Sequence, residues 1–157
     1  SLHWLIAFCV LAALASGYAA TRPSDFAISV LQVHLVFGLS AGLFSLIRIL
    51  IWLAKGPPPP VFHASSRFQS LASGLVHGLL RLLPLVLLAS GLGMVVLSGS
   101  LSAISNGTLP NLTGFTDLPP RNLHHAAALT LLFLTGLHIA AALWHRSRKS
   151  AHAPGST

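Results

Sequence analysis

The stretch NLHHAAALTLLFLTGLHIAAALWHR, residues 122–146, is almost wholly apolar yet carries histidines at 124, 125, 138 and 145. A bilayer hydrocarbon core about 30 Å thick is crossed by about 20 helical residues rising 1.5 Å each, so this stretch is long enough to span it. An ionisable side chain at such depth is costly and, where kept, usually faces the interior of a bundle. A helix turns about 100° per residue; the fourteen residues from His124 to His138 accumulate about 1400°, 40° short of four turns, over a rise of about 21 Å. Counted from His125 the separation is thirteen, which leaves the two side chains about 140° apart. His124 and His138 therefore share one face at opposite membrane depths. His125 points elsewhere and receives no role.

The remainder of the chain has the same character. Of 157 residues, 54% are hydrophobic and 7% charged, too few charges to coat a soluble domain of this size. Four apolar runs, at about 2–20, 26–54, 70–99 and 122–145, meet the length requirement. They predict an all-α membrane protein, a four-transmembrane-helix bundle forming one domain over residues 1–146, with a polar C-terminal tail at 147–157. The chain opens on Ser1 with the first run directly behind it, so residues are expected to precede it. A cleaved signal sequence fits less well, since no Lys or Arg lies ahead of the run and no cleavage site stands before TRPSD at 21–25.

The net charge of +7 does not form a nucleic-acid footprint, because the nine Lys and Arg make no stripe with interleaved aromatics. It reads as topology. Lys55, Arg67, Arg146, Arg148 and Lys149 fall in the second connection and the tail, whereas the first and third connections hold Arg22 and Arg121 beside Asp25 and Asp117. By the positive-inside rule both termini are cytoplasmic, which gives a multi-pass protein of the bacterial inner membrane. The single cysteine, Cys9, excludes an internal disulfide and a cysteine metal cluster, and reads as a small buried apolar residue.

Among the connections, TRPSD is a short turn in which Ser24 or Asp25 is placed to cap the next helix. Residues 54–70 hold four consecutive prolines, a stiff extended linker. The third connection, about 100–121, is rich in Ser, Asn, Gly, Thr and Pro and is long enough to cover a site. The sequons at 106–108 and 111–113 carry little weight.

With this topology, His34 and His124 lie toward the outer surface, while His138 returns to the inner side with His3 and His77. The second run repeats the fourteen-residue spacing between His34 and Arg48. One intramembrane histidine is often a hydrogen-bonded link between helices. Four helices each carrying a deep histidine form instead an outer pair, His34 with His124, and an inner pair, His138 with either His3 or His77. Two imidazole pairs across an apolar bundle suit two bis-histidine haems. Zinc competes less well, for the runs contain no carboxylate and no second cysteine. A proton relay likewise generally recruits carboxylates. Gly38, one turn after His34, and Gly136, two residues before His138, leave room for a flat porphyrin face. Haem propionates in a low dielectric need charged partners, and Arg48 with Arg81, one turn beyond His77, supplies them on the inner side. Arg48 read blandly is a snorkelling boundary residue. Trp4, Trp52 and Trp144 read as interfacial belt residues, Met94 as packing, and His63, His145 and His152 as solvated.

These residues resemble the bacterial cytochrome b561 family of four-helix, dihaem membrane proteins. The resemblance is carried by SLHW in the first run, HLVFG and RILIWL in the second, GLVHGLLRLLPLVLLASGLGM in the third and HHAAALTLLFLTGLHIAAALWHR in the fourth. It implies His3 and His138 as ligands of the inner haem iron, His34 and His124 as ligands of the outer, and His77 as a non-ligand beside the inner haem. Two departures stand out. LHH at 123–125 replaces a WHE-like tripeptide, and Arg81 occupies a position that is often aromatic.

With both axial positions filled, electron transfer is the expected chemistry. The resemblance implies a dihaem b-type cytochrome that exchanges electrons with the quinone pool, ubiquinone in particular. The family includes a superoxide oxidase, so superoxide:ubiquinone oxidoreductase activity is one expectation. A second is an integral cytochrome b subunit that anchors a periplasmic dehydrogenase or cytochrome. A sparsely charged outer loop makes a poor funnel for the superoxide anion, which favours the second. A His-lined transporter is the non-redox alternative.

Overall fold

The computed structural model describes residues 1–22, 24–56, 66–110, 115 and 117–151, with side chains to Ser147. The element order is α1 (Leu2–Ala20), α2 (Ala27–Lys55), α3 (Arg67–Leu97), α4 (Leu101–Ser105) and α5 (Pro119–Ala151). All but the short α4 are long and apolar enough to cross a membrane, and the described residues contain no strand. The chain is thus the expected all-α, four-span membrane protein. Successive spans run in opposite directions. The start of α1 and the end of α5 share one end of the bundle, the termini side; the turn after α1 and the segment with α4 share the other, the loop side. Around the bundle α1 lies against α2, α2 against α3, and α3 against α5.

The element ends differ from the hydropathy limits for local reasons. Ser66 starts α3 early, its hydroxyl accepting from the Gln69 N–H at 3.2 Å. Pro119 and Pro120 start α5 before the apolar run, at positions where a missing N–H removes no helical bond. At the other end α5 runs on through the first residues of the polar tail, to Ala151. At the start of α2 neither Ser24 nor Asp25 provides a side-chain cap; the Ala27 N–H is taken by the Ser24 carbonyl, at 3.2 Å. His63, most of the proline linker and His152 lie outside the described residues.

Burial follows the lipid-exposed logic of a bundle. On α5, Leu131 and Leu134 are 3% and 7% exposed while Phe133 between them is 70% exposed, so a single stripe faces inward and the rest meets hydrocarbon. The core gathers Ile6, Cys9, Val10, Ala41 and Leu131, flanked by Phe37, Phe44 and Leu83, halfway between the two ends. Cys9 is the small buried residue its position suggested. Gly42 lets α2 pack tightly on α3, since a Cβ there would meet the Leu88 side chain at 2.7 Å. The loop segment does fold back onto the bundle, but as a turn of helix rather than plain loop. Gly99 and Gly107, both with positive φ, bracket α4, Ile104 is buried, and Gln32 of α2 donates to the Ile104 carbonyl at 3.1 Å.

Candidate functional site

The bundle interior holds imidazoles at two levels, one on each side of the apolar core. On the loop side the rings of His34 and His124 stand with centroids 6.1 Å apart and planes at 74°. Each is tied down through Nδ1. His34 Nδ1 is 2.9 Å from the Ala13 carbonyl of α1, and His124 Nδ1 is 3.0 Å from the Ser90 hydroxyl of α3. A carbonyl only accepts, so the His34 proton sits on Nδ1 and Nε2 is left bare. Gly17 makes this approach feasible: a Cβ there would lie 2.8 Å from the His34 ring. Gly91 does the same more loosely for His124, at 3.4 Å. His125, next in sequence, is exposed.

On the termini side three rings converge. His3 and His138 have centroids 6.4 Å apart with planes at 82°, and His77 stands 5.2 Å from His138 at 85°. His77 Nδ1 donates to its own helix, to the Ser73 carbonyl at 2.7 Å. His3 differs: its Nδ1 lies 3.1 Å from the Arg48 guanidinium, which has only donors to offer, so the nitrogen accepts. Arg81 lies over the Trp52 ring at 5.4 Å. His3, Arg48, Arg81 and Trp52, with Leu2 and Ile51, line a cavity of about 400 Å³. The Trp52 Nε1–H is buried there without a hydrogen-bond partner. Asp25 and Asp117 are the chain's two acidic residues, so no carboxylate in any span answers the two guanidiniums.

These donors fit a haem better than a bare metal ion. Among the described residues no three His, Cys, Asp or Glu side chains converge to hold an ion by themselves. With a metal–imidazole bond of about 2.0–2.1 Å, the value for zinc, and about 1.1 Å more from nitrogen to ring centre, two imidazoles sharing one metal would have centroids up to about 6.3 Å apart. The His34–His124 and His3–His138 pairs, at 6.1 and 6.4 Å, lie near that spacing, while His77 stands closer to His138, at 5.2 Å. At Gly38, one turn from His34, a Cβ would meet no atom within 4 Å, so space is open beside the loop-side level, whereas Gly136 is exposed and lies about 200° around α5 from His138, facing away from the termini-side rings. Two guanidiniums and an orphaned indole N–H form a cradle suited to carboxylates. Trp52 is thus placed as more than the interfacial belt residue it resembled in sequence.

Gly17, Ser90 and Trp52 escaped sequence reasoning. A depth register would have found the first contact: Ala13 lies seven residues before the end of α1, and His34 seven after the start of α2. Ser90 sits likewise seven residues before the end of α3, near the level of His124.

The fold and site define a class: a four-span membrane protein with paired imidazoles at two depths and basic residues at one of them. The family model described as prokaryotic cytochrome b561 matches residues 1–153, and the chain belongs to that family. It is therefore a membrane b-type cytochrome in electron transfer, of a family that binds haem b. No curated protein and no solved structure matches the chain.

Proposed function

We propose that the chain binds two haems b, one at each level, and carries electrons across the bacterial inner membrane between an outer donor and the quinone pool, with its termini side cytoplasmic. His34 and His124 hold the outer iron, and His3 and His138 the inner. The observation that carries this reading is the pair of ring separations, 6.1 and 6.4 Å, each close to what a bis-imidazole iron requires. When bound, haem would supply a one-electron iron couple, and with two imidazoles held to each iron no site would remain there for a small molecule.

The chain's own residues do the rest. Ala13 and Ser90 orient the outer imidazoles through Nδ1, so that both present Nε2. On the inner side Arg48, Arg81 and Trp52 bind the haem carboxylates, and on the outer side Gly38 leaves room beside His34. Ligation through His3 Nε2 requires the proton on Nδ1, where a guanidinium cannot accept it. The Arg48–His3 contact and iron ligation by His3 therefore exclude one another, and Arg48 turns toward the carboxylates in the cavity it already lines. The buried core between the levels contains no ionisable side chain besides Cys9, so it separates the two sites without offering a carboxylate path for protons.

Two physiological roles fit this centre. As a superoxide:ubiquinone oxidoreductase the chain takes electrons from superoxide at the loop side. As an integral cytochrome b subunit it takes them from a periplasmic dehydrogenase or cytochrome. The second is favoured by the sparse charge of the outer connections, where Arg22 and Arg121 stand against Asp25 and Asp117 and make a weak funnel for an anion. The haem content of the purified protein tests the central claim, with two haems b per chain expected; one haem, or none, overturns it. Superoxide added to quinone-containing liposomes then separates the roles, since rapid quinol formation by the isolated chain counts against the subunit role.

A further inference from the structure

The loop-side histidines receive their hydrogen bonds from different kinds of partner. His34 meets a backbone carbonyl of α1, which no substitution removes. His124 meets a side chain as its hydrogen-bond partner, Ser90 of α3, which is 4% exposed, with the Leu87 carbonyl nearby. The direction of that bond is settled by what else the hydroxyl does. Ser90 Oγ lies 2.7 Å from the Val86 carbonyl one turn back, and its single proton is committed there. Its lone pairs are then all that remains for His124, so Nδ1 must carry the proton and donate. The outcome is a short chain, His124 Nδ1–H to Ser90 Oγ–H to the Val86 carbonyl, that leaves His124 Nε2 unprotonated.

We propose that Ser90 is a positioning residue that fixes the tautomer and ring orientation of His124, and through them sets the redox potential of the loop-side haem. This rests on the dihaem reading above. An acceptor on the remote N–H raises the basicity of a ligating imidazole, which favours the ferric over the ferrous iron. Without Ser90 the N–H is left with only the Leu87 carbonyl one turn away on α3, outside good hydrogen-bond geometry, and the imidazole is the weaker donor. A serine that merely packs α3 against α5 would affect stability and leave the potential alone.

The test is a potentiometric titration of the purified dihaem protein, with the loop-side component identified as the one missing from His34→Ala. In Ser90→Ala the ferrous-to-ferric balance of that component should rise about tenfold at a given potential, a midpoint increase of about 59 mV for one electron. The termini-side midpoint should stay put, and Ser90→Thr, which keeps the hydroxyl, should restore most of the wild-type value. Where Ser90→Ala does not retain the haem, Ser90→Cys carries the same test, its thiol being a weak acceptor of similar shape. An unchanged loop-side midpoint in a variant holding both haems, or an equal shift of both components, overturns the assignment. Absence of a b-type spectrum from the unaltered protein would overturn the dihaem reading instead.

Discussion

The two ends of the bundle hold imidazoles by opposite means. On the loop side both rings are fastened by neutral oxygen acceptors, and a glycine on the neighbouring helix makes room for each. On the termini side a third histidine and two arginines crowd the pair, and His3 is held by a guanidinium that must leave before the ring can ligate through Nε2. One site is shaped in advance by packing. The other is arranged around positive charge, Arg48 and Arg81, with no carboxylate in any span beside it. The difference teaches where each is vulnerable: the first to changes of shape, the second to changes of charge.

The sharpest way to break this contrast is at the ligands. His124→Ala should lose one of the two haems, read as a halved pyridine haemochrome per chain, while His125→Ala keeps both; retention of both haems in His124→Ala would refute the pairing of faces. Gly17→Ala should act on the loop side alone, since the added methyl would sit 2.8 Å from the His34 ring. We expect haem affinity there to fall about 10–100-fold, as for other changes that disturb a ligand's support, measured by haem titration of the stripped protein. Arg48→Gln removes charge without shape. It should lower the termini-side midpoint by about 59 mV, a tenfold change in favour of the ferric form, and leave the loop side unmoved. Trp52→Phe keeps the ring under Arg81 but deletes the donor, so termini-side haem affinity should weaken by about 1 kcal/mol, roughly fivefold. His77→Ala should have the smallest effect, with both haems retained; loss of the termini-side haem would mean that His77, not His3, opposes His138.

The spans were legible because hydropathy alone reports them, and the shared face of His124 and His138 because helical periodicity is rigid over four turns. What periodicity cannot report is the partner of a face. Spacing alone left His3 and His77 as alternatives opposite His138, and only the family resemblance separated them; their rings stand 6.4 and 5.2 Å from that of His138. Glycines near the histidines in sequence drew attention to Gly38 and Gly136, whereas the glycines that touch histidine rings, Gly17 and Gly91, sit on neighbouring helices. Ser90 and Trp52 were hidden for the same reason. Their roles arise from contacts between helices at matched depth, and no local pattern encodes the rotation of one helix against another. The α4 turn was missed because five residues rich in serine carry no periodic signal of their own.

α5 passes from Pro119 to Ala151 as one uninterrupted helix, and this holds the levels of His124 and His138 about 21 Å apart along its axis. On the dihaem reading an electron moved between them crosses about 70% of a 30 Å hydrocarbon core. The membrane voltage then enters the driving force directly, at about 1.6 kcal/mol for each 100 mV, taking 2.3 kcal/mol for a full crossing. The distribution of electrons between the haems becomes a reading of the energised state of the membrane, and the same protein would be poised differently in a charged cell and in a leaky vesicle.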